Sequence, residues 1–171
     1  MTLDEVNALT PAAFVVEFCG IYEHSPWIAE KAEKKRPFSS LSAMEAAFVS
    51  ILKQADHSAK HALVCAHPEL GHRAGIDPEL SEDSAQEQGG AGLDRLTAEE
   101  YDRFHALNAA YRAKFGMPFV ICVRKAGKAP KAIILEEMSR RLNSTAENEL
   151  TEALAQIDAI ASLRLQDKVK V

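Results

Sequence analysis

Met117-Pro118-Phe119-Val120-Ile121-Cys122-Val123 is the one run in this chain with the β-branched and aromatic composition of a strand. Gly116 precedes it and Arg124-Lys125-Ala126-Gly127-Lys128 follows, so it is short and isolated. No second comparable run exists to pair with it, and a strand without a partner builds no sheet. It is expected to be either buried extended backbone or the start of a further helix. The segments on both sides have helical periodicity. Upstream, Thr97-Ala98-Glu99-Glu100 is a capping box that opens a helix through Tyr101, Phe104, Leu107, Asn108 and Tyr111 to Phe115, with Gly116 as its left-handed stop. Downstream, Pro130 starts a helix carrying Ile133, Ile134, Leu135, Met138 and Leu142. Ser144-Thr145-Ala146-Glu147 has the form of a second capping box, for a last helix with Leu150, Ala153, Leu154, Ile157, Ile160, Ala161 and Leu163 at helical spacing.

The N-terminal half gives the same pattern in shorter pieces. Thr2 caps a helix to Leu9, and Thr10-Pro11 starts another with Phe14, Val15, Phe18 and Ile21 inward. Ser25-Pro26 opens a third beside Trp27, the single tryptophan, which is expected as a buried anchor rather than a ligand-stacking ring. Residues 28–36 are strongly charged, a solvated helix face, and Arg36-Pro37-Phe38 breaks it. Ser40 or Ser42 caps a helix over about 42–55 with Met44, Ala47, Phe48, Ile51 and Leu52 as its stripe; Ser58 starts the next, which Pro68 ends near His67. Residues 69–83 read as a surface loop, and Ser81 with Ser84 restarts a helix that dissolves at Gly89-Gly90. The expectation is an all-α fold: one domain over 1–171, an irregular bundle of about eight helices, without significant sheet.

Composition narrows the function classes. Of 171 residues, 47% are hydrophobic and 26% charged, which is ordinary globular usage. Twenty Lys and Arg against 25 Asp and Glu give a net charge of −5, so no global positive field attracts nucleic acid or an anionic membrane. No apolar run approaches the ~18 residues of a membrane span, and Met1-Thr2-Leu3-Asp4-Glu5 lacks the pattern of a signal peptide. The C-terminal Lys168-Val169-Lys170-Val171 lacks the Ser-Lys-Leu peroxisomal address, so cytoplasmic residence is expected. Cys19, Cys65 and Cys122, an odd number in apolar surroundings, read as buried free thiols.

Site chemistry concentrates in His67-Pro68-Glu69-Leu70 and Ser84-Ala85-Gln86-Glu87-Gln88, which place an imidazole, a hydroxyl, a carboxylate and carboxamides near helix ends. A converging His and Glu can pass protons near neutral pH; two polar surface groups are the bland alternative. His57 and His61, four apart with His67 and His72 following, suit metal ligands, but no Glu stands between the pair and no Cys pair is near, so no metal is expected. His105, inside a helix, reads as structural. Gly89-Gly90-Ala91-Gly92 follows no strand and lacks the lysine of a phosphate loop, and Ser84 sits on no glycine elbow.

Three ordered stretches carry a resemblance: His67-Pro68-Glu69-Leu70; Ser84-Ala85-Gln86-Glu87-Gln88 with Ala91-Gly92-Leu93-Asp94; and Leu107-Asn108-Ala109-Ala110-Tyr111-Arg112-Ala113-Lys114-Phe115-Gly116-Met117-Pro118-Phe119. Ser25-Pro26-Trp27, Arg36-Pro37-Phe38 and Ile160-Ala161-Ser162-Leu163-Arg164-Leu165 agree. Together they resemble the 2-oxo-4-hydroxy-4-carboxy-5-ureidoimidazoline (OHCU) decarboxylase family of urate breakdown, across essentially the whole chain. The departures are Met117, where that family usually has Phe, and Gly71, where Ala is common. The resemblance implies an all-α homodimer that works without cofactor or metal on OHCU, the third step from urate to (S)-allantoin. It implies His67 as the acid-base group with Glu87 as partner. Pro68, Ser84, Ala85, Gln86, Glu87 and Gln88 would surround the substrate, and backbone groups of Phe119, Val120, Ile121, Cys122 and Val123 would complete the pocket. An extended segment without a strand partner suits this, since it offers N–H and C=O groups to a flat, amide-rich ring. Arg164 is a candidate for the substrate carboxylate, against a purely helix-stabilising role near the end of the last helix.

Two other readings stay open from the residues. One is a silent helical interaction module, which predicts a broad apolar groove. The other is a metal-assisted ureide hydrolase using His57, His61 and His67.

Overall fold

The computed structural model describes residues 1–71 and 81–170, and over these the chain is all-α. Nine α-helices appear, against about eight expected: α1 (Leu3–Ala8), α2 (Pro11–Phe18), α3 (Pro26–Glu33), α4 (Leu41–Lys53), α5 (His57–Cys65), α6 (Glu82–Gly90), α7 (Ala98–Phe115), α8 (Pro130–Arg141) and α9 (Ala146–Lys168). Among the described residues there is no strand, only an isolated bridge between Thr2 and Lys170. Of the loop expected over 69–83, residues 72–80, including His72, lie outside the described residues.

Helix starts follow the capping chemistry, with two corrections. Thr2, Thr10, Ser40, Ser81 and Thr97 each accept a hydrogen bond from the backbone N–H three residues on, and the Thr97–Glu100 box closes in both directions. Helix α5 is capped by Asp56 rather than Ser58, because the Asp56 carboxylate takes the Ala59 N–H at 2.8 Å. At α9 the cap is Thr145, whose Oγ1 receives the Asn148 N–H at 3.3 Å, in place of the box expected from Ser144.

The chain divides into two compact units, Met1–Ala66 with Asp158–Val171, and His67–Ile157. In the first, α3 packs against α2 and α4. Its core is aromatic: Phe14 touches the rings of Phe18, Phe38 and Phe48 at centroid distances of 4.7, 6.2 and 6.5 Å. Tyr22 stacks on Phe48 and donates its hydroxyl to Asp158 at 2.8 Å. Trp27 is not the buried anchor expected; it is half-buried, with the Lys31 ammonium 4.9 Å from its ring centroid. The thiols also differ from expectation, since Cys122 is buried but Cys19 is half-buried and Cys65 exposed. Cys65 ends α5 on the face that carries His61, whose Nδ1 lies 3.5 Å from its sulfur.

In the second unit α7 packs on α8, and α6 packs against a 3-10 turn, Val123–Lys125. Of the two expectations for residues 117–123, no further α-helix starts: residues 118–122 form no helix or strand, and Cys122 is extended at φ −73°, ψ 91° as it enters this turn. Phe104, Tyr111, Phe115, Phe119, Ile134, Met138 and Ile157 form the core. On α8 the inward stripe runs Ile134, Met138, Arg141, and Leu142 is only half-buried. A charged residue holds a core position there because its partner Glu149 is buried with it.

Candidate functional site

His67 follows the αR cap of α5, Ala66, and precedes Pro68, so the helix cannot continue through it. It is buried, as are Ser84 and Gln88 on α6. Residues 84, 87 and 88 share one face of α6, so Glu87, half-buried, lies beside the buried pair while Ala85 and Gln86 are exposed. Buried polar side chains on one short helix whose other face is solvated are unusual unless they have work to do in the interior.

Gln88 uses both ends of its carboxamide on the chain just after His67: Oε1 accepts from the Gly71 N–H at 3.3 Å and Nε2 donates to the Glu69 carbonyl at 3.4 Å. The glycine is required, because Gly71 adopts φ +80° and a Cβ there would come within 2.9 Å of Phe104 Cγ.

The extended segment is held from two helices of its own unit. Arg141 Nη1 donates to the Val120 carbonyl at 2.8 Å, and its guanidinium lies 4.4 Å from the Phe119 ring centroid. Gln156 Oε1 accepts the Cys122 N–H at 3.0 Å, and the Cys122 carbonyl starts the 3-10 turn by accepting from Lys125. Arg141 is in turn fixed by a buried, two-pronged ion pair with Glu149. Burial drives both of these groups towards their neutral forms, pushing the Glu149 carboxyl up and the Arg141 guanidinium down. Phe119, Val120, Cys122 and Val123 are buried and Ile121 half-buried. Among the described residues no hydrogen bond engages the Ile121 backbone, which leaves its N–H and C=O for another occupant.

Within the second unit, α6 packs against the 3-10 turn Val123–Lys125 that follows this stretch. Burial pushes the Cys122 thiol up, more than the neighbouring Lys125 draws it down. Cys122 is therefore a neutral, packed thiol. The structure thus gathers His67, Ser84, Glu87, Gln88 and residues 119–123 in one unit.

Arg164 belongs to the first unit. It is buried, and Nη1 donates to Glu23 Oε2 at 3.0 Å and to the Gly20 carbonyl at 3.1 Å. His57 and His61 are also there, stacked with centroids 6.3 Å apart. Among the described residues no group of three or more His, Cys, Asp or Glu is arranged to hold a metal ion. A concavity of about 420 Å³ in the same unit is lined by Lys31, Lys34, Lys35, Ile51 and Gln54, none of them a site candidate. Its lysines cluster at the C-terminal end of α3, where cations offset the helix dipole.

Sequence reasoning assigned no role to Asn108, Arg112, Arg141 or Gln156. The signal was present for two of them: Asn108 and Arg141 sit at inward positions of otherwise apolar helical stripes.

The model of the OHCU decarboxylase family matches residues 7–166. The chain is 39% identical over 168 residues to 2-oxo-4-hydroxy-4-carboxy-5-ureidoimidazoline decarboxylase of Haloferax volcanii, covering 98% of this chain and 96% of that one. Among solved structures it is similar to an (S)-allantoin synthase, with a TM-score of 0.78 and 31% identity, over 99% of this chain and 54% of that one. A crystal structure of OHCU decarboxylase in the presence of (S)-allantoin shares the fold, with a TM-score of 0.70 at 19% identity and coverage of 89% and 96%.

Proposed function

Because the chain belongs to the OHCU decarboxylase family, we propose that it decarboxylates 2-oxo-4-hydroxy-4-carboxy-5-ureidoimidazoline to (S)-allantoin. The observation that carries this reading is the match over residues 7–166 together with His67, Ser84 and Gln88 buried in one unit with the extended segment. The continuous match also supports reading residues 1–171 as a single catalytic domain. Among the described residues no helix is long and apolar enough to cross a membrane; cytoplasmic residence and a homodimer belong to the proposal.

The chemistry asks little of a cofactor. The carboxylate leaves as CO2 from a carbon that bears a hydroxyl and adjoins an imine-like ring carbon, and the electron pair left behind delocalises into the ring. Protein groups then control protons. His67 relays the hydroxyl proton, Glu87 bonds to His67 or to the intermediate, and one face receives the new proton. Ser84 and Gln88, with Pro68, Ala85 and Gln86 around them, line the substrate. The free N–H and C=O of Ile121, within the 119–123 segment, suit its amide groups. Arg164 is a candidate for the carboxylate, against a helix-stabilising role near the end of α9.

Freshly generated OHCU supplies the test, by following its decay and the chirality of the allantoin formed. His67→Asn is expected to fold, keep much of its ligand affinity, lose about 10²-fold or more in rate and drift towards racemic product. Glu87→Gln should lose rate too, and the double variant should be little worse than the poorer single, as for residues acting as one unit. Near-native rate and optical purity in folded His67→Asn would end the assignment.

A further inference from the structure

The three residues after His67-Pro68 are gripped by side chains that the chemistry above does not use. The buried Asn108 Nδ2 donates to the Leu70 carbonyl at 2.9 Å. Arg112 donates to the Glu69 carboxylate through Nε, at 3.0 Å, and through Nη2. Phe104 lies under Gly71, close enough that no side chain fits between them. Residues 104, 108 and 112 are spaced four apart and form one face of α7, an 18-residue helix closed at both ends by its capping box and by Gly116. One turn on from Asn108, Tyr111 meets the Phe119 ring edge-on, with centroids 5.3 Å apart at 89°. A single stiff element therefore touches both the segment carrying His67 and Phe119 of the extended segment.

Two further atoms argue that this face is not tuned for stability. Asn108 Oδ1 and Tyr111 Oη are buried without a hydrogen-bond partner. Stranding polar atoms in the interior is costly, and Leu and Phe would fill the same positions without that cost. The half of the Asn108 carboxamide that is used is the donor, and what it holds is the backbone three residues from His67.

We propose that Asn108 is a positioning residue for His67. By fixing the Leu70 carbonyl to α7 it sets where the imidazole stands relative to the 119–123 segment, with Arg112 holding the same stretch from the exposed side and Tyr111 seating Phe119. The role rests on His67 being the acid-base group.

Asn108→Asp tests it, because the shape is kept while the donor to Leu70 becomes an acceptor. Arg112→Gln, at an exposed position, is the companion that folds regardless. The Asp variant is expected to lose roughly tenfold to 10²-fold in kcat, with KM moving less than about threefold and lower optical purity of the allantoin, since small misplacements of a catalytic group act on rate more than on binding. Arg112→Gln should lose about threefold in the same manner, the smaller effect of an exposed contact. Amide hydrogen exchange gives a readout independent of turnover: Gly71 should exchange about tenfold faster in both variants while Tyr101, on the first turn of α7, does not change. Unchanged Gly71 exchange, or native kcat and chirality in the folded variants, overturns the proposal; if Asn108→Asp does not fold, the same readings on Arg112→Gln decide. Faster exchange combined with a fully active His67→Asn would instead mark the acid-base reading as the part that failed.

Discussion

At the scale of single residues, Arg164 carries two demands that compete. Its buried Nη1 bonds Glu23 and the Gly20 carbonyl, yet it is also the candidate we propose for the substrate carboxylate. Truncating one member of a buried ion pair leaves the other charge without compensation, which costs about 3–5 kcal/mol. Arg164→Gln alone should therefore be strongly destabilised in urea denaturation, and Glu23→Gln in the same chain should restore much of the loss. The double variant then isolates the functional question. A KM raised roughly tenfold, the size of one lost charge-assisted bond, assigns Arg164 to the substrate; an unchanged KM confines it to Glu23. No periodicity marks this pairing, because Glu23 lies between helices and 141 positions away.

At the scale of elements, residues 117–122 show how a stretch that is neither helix nor sheet is kept in place. It has no strand partner, so its backbone groups are bonded by side chains, the Val120 carbonyl by Arg141 and the Cys122 N–H by Gln156. Arg141 in turn depends on Glu149. Arg141→Met should cost about 3–5 kcal/mol by stranding Glu149, and Arg141→Met with Glu149→Leu should recover most of it, as apolar replacements of buried pairs do. Both variants lose the bond to Val120, so both should be slower on OHCU even where thermal melting shows the double variant to be nearly as stable as the parent. A double variant with native rate would detach the Arg141 contact from function. The helices themselves were legible. Capping residues and apolar stripes act within four residues, so Thr97, Gly116 and the stripe through Phe104, Asn108 and Tyr111 predicted α7 to the residue. Where a stripe contained Arg141 instead of Leu142, the local rule failed, because a residue 8 positions on decided which of the two could be buried.

At the scale of the whole molecule, the proposed homodimer rests on the family resemblance, and the apolar side chains of Val16, 77% exposed, and Ile133, 37% exposed, lie at the surface. Sedimentation at micromolar concentration should return twice the 18.7 kDa chain mass; monomer alone would remove the dimer from the proposal. The sequence by itself determined the all-α class, since one isolated strand-like run cannot form a sheet. It also determined most helix boundaries, through caps and prolines that act over a few residues, and the family, through motifs in a set order. Tertiary structure alone decided which polar groups share an interior. His67, Gln88 and Asn108 are brought onto one stretch of backbone from separate elements, and Arg164 is paired with Glu23. The same holds for Cys65, exposed although its neighbours are apolar. Burial and partnership depend on which helix faces meet, and that is set by the summed packing of distant residues rather than by any local pattern.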